Sequence, residues 1–490
     1  MNKYKKLASN TVILGIGTFG SKLLVFLLMP LYTAWLTTAE YGAAEMISGI
    51  ANFLIPVACV GISTGIFRFA AEREADQKQV FSSSIALLGL GLGGFLLLSP
   101  LLLWIPYCKP YVWLVVLYVL FADLQAVCAQ YLRAIDRTAL FAGQGILNTA
   151  LTVLCNVLFL FALEMGVEGY ILSVVVGNLL TTIFIICRAR LWRVFSFANI
   201  DRKLMKHLLL FSLPMIPTTL CWLITDLSDR AMVTYFWGES VNGVYAAAYK
   251  IPTIVNLVAG IFLQAWQFSA VSEEKDTTEC SNFYSRVWEA FVSVIMIGTA
   301  GLILFSRFLT KLLLNVAFFE AWRYMPTLLC AVALETFVSF LASVYLVRKK
   351  SSHSFVTALV GALANIALNL WLIPTIGALG AAIATLASYA IVLVLRMIDA
   401  PRIIPFRLCL PRLCISTALL LGAATIMTLD VTGRIWWTLL CVFAICAINA
   451  PALLWISAPQ ENNTSLYKVL LRSCYPKGRI LLKLMNLSFT

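Results

Sequence analysis

The chain has 490 residues, of which 61% are hydrophobic and only 12% charged, and its 36 Lys and Arg outnumber 23 Asp and Glu for a net charge of +13. Soluble domains carry roughly 25% charged residues, so this composition excludes a soluble enzyme or nucleic-acid-binding protein and leaves few residues for any domain outside a bilayer. Apolar stretches of span length recur from Val12 to Trp455, each long enough to cross the hydrocarbon core as a helix of about 20 residues.

In chain order the predicted spans lie at roughly 10–35, 44–68, 81–105, 111–133, 139–163, 167–187, 207–234, 243–269, 284–306, 324–347, 354–374, 377–397, 408–428 and 435–456, about 14 in all. The basic start Met1–Lys6 precedes a full-length span with no small-residue cleavage site, so it reads as a membrane segment and not as a removable signal. Gly15–Gly20 in the first span and Gly89–Gly94 in the third both match GxGxxG, but neither follows a strand, so close helix contact explains them and a nucleotide site does not. The 13 cysteines contain no CxxC pair and behave as small hydrophobes, and two histidines with no clustered ligands leave no metal site. No cofactor is implied.

The loops fix an expected orientation. With the N-terminus in the cytoplasm, about 28 of the 36 Lys and Arg fall inside and five (Lys109, Arg307, Lys311, Arg323, Arg434) outside, which obeys the positive-inside rule with both termini cytoplasmic. The excess of positive charge then reports topology and contact with anionic lipid; no nucleic-acid partner is expected. The outer connections are short. The largest, Arg307–Arg323, is partly apolar and is expected on the membrane surface.

The longest break in the apolar pattern is the basic stretch Arg188–Lys206. It suggests an N-terminal six-helix bundle at 1–188, a basic cytoplasmic linker at 189–206, a second six-helix bundle at 207–400, a terminal helix pair at 401–457 and a basic cytoplasmic tail at 458–490. The two bundles look alike. Asn156 through Gly166-Val-Glu-Gly169 recurs as Asn369 through Gly377-Ala-Leu-Gly380, Thr37–Gly42 as Glu239–Gly243, and Gln130–Arg133 as Val344–Val347, all in one order and at offsets of about 201 to 214. An even number of spans preserves orientation, so these are read as parallel repeats about an axis along the membrane normal. The fold class is therefore all-α polytopic, with two pseudo-symmetric bundles around a central cavity and a terminal pair.

Charges inside spans are the informative residues, because a charge in hydrocarbon is costly and marks a polar interior. Lys22 sits in span 1, Arg68 closes span 2, Asp123 lies in span 4, Asp226, Asp229 and Arg230 in span 7, Lys250 in span 8 and Glu335 in span 10. Lys22, Arg68, Arg230 and Lys250 are candidates for binding an anionic substrate, Arg by its bidentate fork and Lys as a point charge. For Arg230 a local pair with Asp226 or Asp229 is the competing reading, and for Arg68 snorkelling to the interface. Asp123 and Glu335 occupy nearly corresponding positions of the repeats. They and Asp226 and Asp229 are candidates for a coupling cation, proton or sodium, or for sugar contact, against a structural ion pair within each bundle. Gln125, Gln130, Gln144, Asn148, Asn156, Gln264 and Gln267 supply hydrogen bonds to sugars or between helices, and Trp222, Tyr249 and Trp266 stacking faces or interfacial anchors.

The runs Asn10–Lys22 and Leu36–Gly42, Ser228–Val233 followed by Val241–Lys250, and Asn369 through Gly377-Ala-Leu-Gly-Ala-Ala-Ile-Ala384 resemble the Wzx-type oligosaccharide flippases of the multidrug/oligosaccharidyl-lipid/polysaccharide exporter superfamily. The resemblance covers most of the chain. It implies two bundles set as a V around a cavity, and a transporter, not an enzyme, in the bacterial cell membrane. Its cargo would be an undecaprenyl-diphosphate-linked oligosaccharide moved from the inner to the outer leaflet, with membrane lipids as the other partner. It also implies that basic cavity residues bind the substrate, for which Lys22, Arg68 and Lys250 are the positions here. Two alternatives share the architecture: a lipid II type flippase, whose last two spans form a lipid groove, and a cation-coupled multidrug exporter, whose cavity should be acidic on balance.

Overall fold

A computed structural model describes residues 28–71, 76–105, 107–213, 216–272, 277–348, 350–429 and 432–457. Among them every regular element is helical: α1 (Met29–Trp35), α2 (Thr38–Ala58), α3 (Ile62–Ala70), α4 (Gln77–Leu98), α5 (Val112–Ala134), α6 (Thr138–Asn156), α7 (Gly166–Ala189), α8 (Arg202–Ser212), α9 (Ile216–Trp237), α10 (Glu239–Lys250), α11 (Thr253–Ser272), α12 (Thr277–Leu313), α13 (Met325–Val347), α14 (Ser351–Ile376), α15 (Ala378–Ile403), α16 (Leu410–Thr428) and α17 (Arg434–Ser457), with short 3₁₀ and π turns between some of them. Eleven described helices are long and apolar enough to cross a membrane, and two bent pairs, α8 with α9 and α10 with α11, raise the number to 13. Most of the first predicted span, and the whole basic tail, lie outside the described residues.

Both bent pairs depart from the continuous helices predicted at 207–234 and 243–269. The bends are 45° and 40°, and Pro252 marks the second. A proline cannot donate the backbone hydrogen bond that would carry a helix through it. The Arg307–Arg323 connection is ordered. α12 runs on to Leu313, and Val316–Arg323 forms a 3₁₀ segment whose Phe318, Ala321 and Trp322 are buried. Phe318 packs edge-on against Tyr41 of α2, with ring centroids 5.8 Å apart, while Val316 at the start of the segment is exposed.

The sequence repeat has a structural counterpart. α6–α7 and α14–α15 are helical hairpins turned at Gly166 (φ +54°) and Gly377 (φ +67°), backbone values that favour glycine. The second glycine of each motif lets the following helix lie against the chain before it. A Cβ at Gly380 would come 2.6 Å from the Leu372 carbonyl oxygen, and one at Gly169 would come 3.1 Å from that of Phe159. The polar stretch after α7 is docked rather than loose: the Ser196 and Asp201 amides donate to the hydroxyls of Ser82 and Ser83, each at 3.0 Å.

α2 has a strong start. Thr37 Oγ1 accepts from the Glu40 amide, and Glu40 in turn accepts from the Thr37 amide, so two orphan donors of the first turn are satisfied reciprocally. α2 then crosses to the second bundle, packing on both α9 and α10. At the crossing Gly42 faces Gly243, the pair that the repeat made equivalent. A Cβ on Gly42 would collide with the Glu239 carbonyl oxygen, and one on Gly243 with that of Thr38. Asn242 Nδ2 donates to the Gly42 carbonyl at 3.0 Å and is fully buried. α16 and α17 pack on each other, and both lie against α12. There Arg412 donates to Ser293 and Asn449, and Asn449 to Ser416.

Candidate functional site

The Gly42–Gly243 crossing brings α2 within reach of the charged faces of α9 and α10. One turn beyond Gly42, Glu45 is 3% exposed and receives three donors. Lys250 Nζ reaches Oε1 at 2.8 Å and Arg230 Nη1 reaches Oε2 at 2.9 Å. The Tyr170 hydroxyl also donates to Oε1 at 2.8 Å, and Arg230 Nη1 contacts the Glu45 carbonyl at 3.1 Å. Tyr170 is steadied from behind by Tyr32, 5.0 Å away edge-on, whose hydroxyl accepts from Asn156. The acid is thus enclosed, whereas the side chains of Arg230 and Lys250 keep 18% and 26% of their surface open. Two cations from one bundle and one acid from the other meet at a point midway between them.

One turn along α9 from Asp226, Asp229 sits in a neutral cradle. Tyr245, Asn365, Asn369 and Thr385 all donate to its carboxylate, at 3.0 Å, 3.1 Å and 2.6 Å for the first three. Ser228 joins the cluster by donating to Asn365 Oδ1. Asp229 is 2% exposed. Four neutral donors on a buried carboxylate provide charge-assisted hydrogen bonds without a counter-ion. The donors come from α9's own neighbours α10, α14 and α15, and the amides among them can present carbonyl oxygen as readily as N–H. The cradle contains no sulfur or imidazole ligand, so it does not suit a transition metal. Among the described residues no group of three or more His, Cys, Asp or Glu is arranged to hold a metal.

The other sequence candidates separate. Lys22 lies outside the described residues. Arg68 is exposed at the far end of the second predicted span. It lies on α3, beyond the break that ends α2, and so not on the helix that carries Glu45. Arg230 does not resolve into the local pair expected with Asp226 or Asp229, since its strong hydrogen bonds run across to Glu45. Asp226 is exposed and Glu335 partly so, the latter accepting from Asn256 at 2.9 Å. Asp123, expected to face a shared cleft as the counterpart of Glu335, is instead fully buried in the first bundle, beside the Cys59 thiol.

Of the two roles open to the polar residues of the spans, several take the joining of helices. Gln125 donates to Gln144, and Asn148 to Asn178 at 2.8 Å. Trp222 packs at a tilt against Tyr389, ring centroids 5.9 Å apart, and beside Arg396. Arg396 is 1% exposed and ties α15 to α13 and α14 through the Val338 carbonyl and Thr357. The main omission was Glu45. The only sequence signal for it is an acid just inside a span boundary, followed by a span otherwise free of charge up to Arg68.

Three solved structures share the fold. A lipid II flippase, MurJ, in an inward closed conformation is matched over 90% of this chain and 100% of its own, with a TM-score of 0.68 at 15% identity. An inward-facing multidrug resistance MATE family transporter of the MOP superfamily is matched over 78% of this chain and 95% of its own, with a TM-score of 0.63 at 15% identity. A MOP superfamily transporter from Pyrococcus furiosus, described as having a binding pocket of reversed polarity, is matched over 80% and 96%, with a TM-score of 0.60 at 14% identity. No curated protein matches by sequence. A family model described as polysaccharide biosynthesis protein matches residues 7–268, more than half of the chain. The chain is therefore a multi-pass membrane protein that belongs to the polysaccharide biosynthesis protein family.

Proposed function

We propose that the protein is a flippase, not an enzyme, of the bacterial cell membrane. It moves an isoprenoid-diphosphate-linked oligosaccharide, in the undecaprenyl form, from the inner to the outer leaflet by alternating access, with both termini in the cytoplasm. The observation that carries this reading is the convergence of Arg230 and Lys250, both partly open, on one point between the bundles. A guanidinium and an ammonium held together in low-dielectric surroundings form a receptor for a compact polyanion such as a diphosphate. The isoprenoid tail would stay in lipid while the head occupies the site. In the expected orientation the Gly42–Gly243 crossing closes the outer side, so the head enters from the cytoplasm. No phosphate bond breaks. An inside-negative potential favours outward movement of negative charge by about 2.3 kcal/mol per charge per 100 mV, which suffices to drive the step without ATP.

The acids of the second bundle fit a separate task. Asp229 and its amide and hydroxyl neighbours offer oxygen ligands to a coupling proton or sodium ion, with Asp226 and Glu335 on the accessible side. Asp226, Asp229 and Glu335 also favour a second reading, the cation-coupled exporter of cationic drugs, because they outnumber the cations on α9 and α10. The two readings separate in a binding measurement. Purified protein in nanodiscs should bind geranyl diphosphate saturably and in a salt-sensitive manner, with pyrophosphate as competitor. Displacement by a quaternary ammonium compound but not by pyrophosphate would favour the exporter.

A further inference from the structure

We propose that Glu45 is a built-in substitute for the substrate's anionic head, and that displacing it is what releases the outer closure. The inference rests on the diphosphate reading above and adds how occupancy of that site is coupled to movement.

Three observations support it. The first is valence. Glu45 places its two carboxylate oxygens on the two basic groups, one on Lys250 Nζ and one on Arg230 Nη1, at 2.8 Å and 2.9 Å. A bridging phosphate oxyanion would make the same pair of contacts. The second is position. Glu45 lies three residues from Gly42 on α2, while both cations belong to α9 and α10 of the other bundle. The Gly42–Gly243 crossing cannot part without pulling the carboxylate from the cations. The third is exposure. The acid's side chain is enclosed at 4%, but those of the cations are open at 18% and 26%, so an incoming anion can reach them while Glu45 still holds them.

The energetic consequence follows from what each state leaves unpaired. Opening the empty protein outward would part Arg230 and Lys250 from the one carboxylate that bonds both, and would leave Glu45 buried beside Tyr170 without its charge partners. Removing one partner from a buried pair is strongly unfavourable. A diphosphate in the site supplies the missing negative charge and removes that penalty, so the loaded protein opens and the empty one stays shut. After release Glu45 recaptures the cations and draws α2 and α10 together again. The device suppresses opening without cargo, and it does so with one residue that never contacts the substrate in the closed state.

The test compares wild type, Glu45→Gln and Arg230→Gln in nanodiscs, with geranyl diphosphate as probe and hydrogen exchange of residues 38–50 and 239–250 as the readout of closure. Glu45→Gln should bind the probe about tenfold more tightly, because it loses an internal competitor worth roughly one charge-assisted hydrogen bond. Its two outer segments should exchange faster without ligand, and wild type should reach similar exchange only when the probe is added. Equal or weaker binding by Glu45→Gln, or unchanged exchange, would overturn the inference. Should Glu45→Gln fail to insert, Glu45→Asp carries the test. Its shorter side chain reaches one cation and not both, so the same changes are expected at smaller size, and wild-type behaviour would count against the latch. Wild type that binds no diphosphate, with Arg230→Gln indistinguishable from it, would instead remove the diphosphate reading itself.

Discussion

Lys250→Glu should reduce leaflet exchange of an isoprenoid-diphosphate glycan by roughly 100-fold while leaving the protein inserted and folded, and Arg230→Glu should do the same. Breaking one partner of a close charge pair costs about 2–5 kcal/mol, and each 1.4 kcal/mol is about a factor of ten. Reversal does more than delete a contact. It sets a second carboxylate within about 3 Å of Glu45, where like charges in low dielectric repel strongly, and presents an acid to the diphosphate. Lys250→Gln should retain part of the activity, since Arg230 still supplies a fork-shaped donor set. Dithionite quenching of a fluorescent glycan lipid in proteoliposomes measures the rate, and size-exclusion profiles check the fold. Normal transport by both reversed variants would exclude the α9–α10 pair from the substrate path.

The second large effect is expected at the helix crossing. Gly243→Val and Gly42→Val each drive a side chain into a backbone carbonyl, of Thr38 and Glu239 respectively, and a carbonyl in a capped helix cannot rotate away as a flexible side chain does. Overpacking of this kind costs about 1–3 kcal/mol, a shift of roughly 5- to 150-fold against the outer-closed state. Transport should fall by at least about tenfold, and hydrogen exchange of residues 38–50 and 239–250 should rise together. Variants that still transport and keep those segments protected would show that the crossing does not open and close during the cycle. Gly49 is the internal control. It lies on the same helix, and a Cβ there would meet only Leu227 Cδ1 at 3.4 Å, so Gly49→Ala should be nearly silent.

These two predictions bear on how far the sequence carried. Span number, the repeat and the GxxG hairpins were legible because each depends on local composition: apolar length, glycines at fixed offset, and an amide before the turn. The repeat even paired Thr37–Gly42 with Glu239–Gly243, the two helix starts that meet at the crossing. What the sequence could not show is that symmetry-related segments touch each other. Charges within spans were legible as candidates, but their grouping was not. Asp123 and Glu335 correspond in the repeat yet one is sealed inside its bundle and the other is accessible. Arg68 at the close of span 2 and Lys250 within span 8 both read as candidates, yet Arg68 falls on α3, beyond the end of the helix that carries Glu45 to the cluster. Glu45 escaped notice because an acid near a span boundary usually marks the interface. Only the crossing angle of α2, set by two glycines some 200 residues apart in sequence, carries it to Arg230 and Lys250. The bends before α9 and after α10 were likewise invisible to hydropathy, which averages over a break of a few residues.

The same arrangement explains why acids and bases can coexist in one small region. Glu45, Arg230 and Lys250 lie where the bundles meet, while Asp229 is enclosed by α10, α14 and α15 of the second bundle and satisfied by neutral donors. Separate pairing keeps the cations from being neutralised by Asp229, and so leaves them available to an anion when α2 withdraws.

Leaflet exchange in liposomes tests the central claim most directly. Wild-type protein should accelerate movement of a labelled isoprenoid-diphosphate glycan across the bilayer, faster with an inside-negative potential, and should leave a labelled cationic drug where it was placed. Transport of the drug with no acceleration of the diphosphate lipid would contradict it.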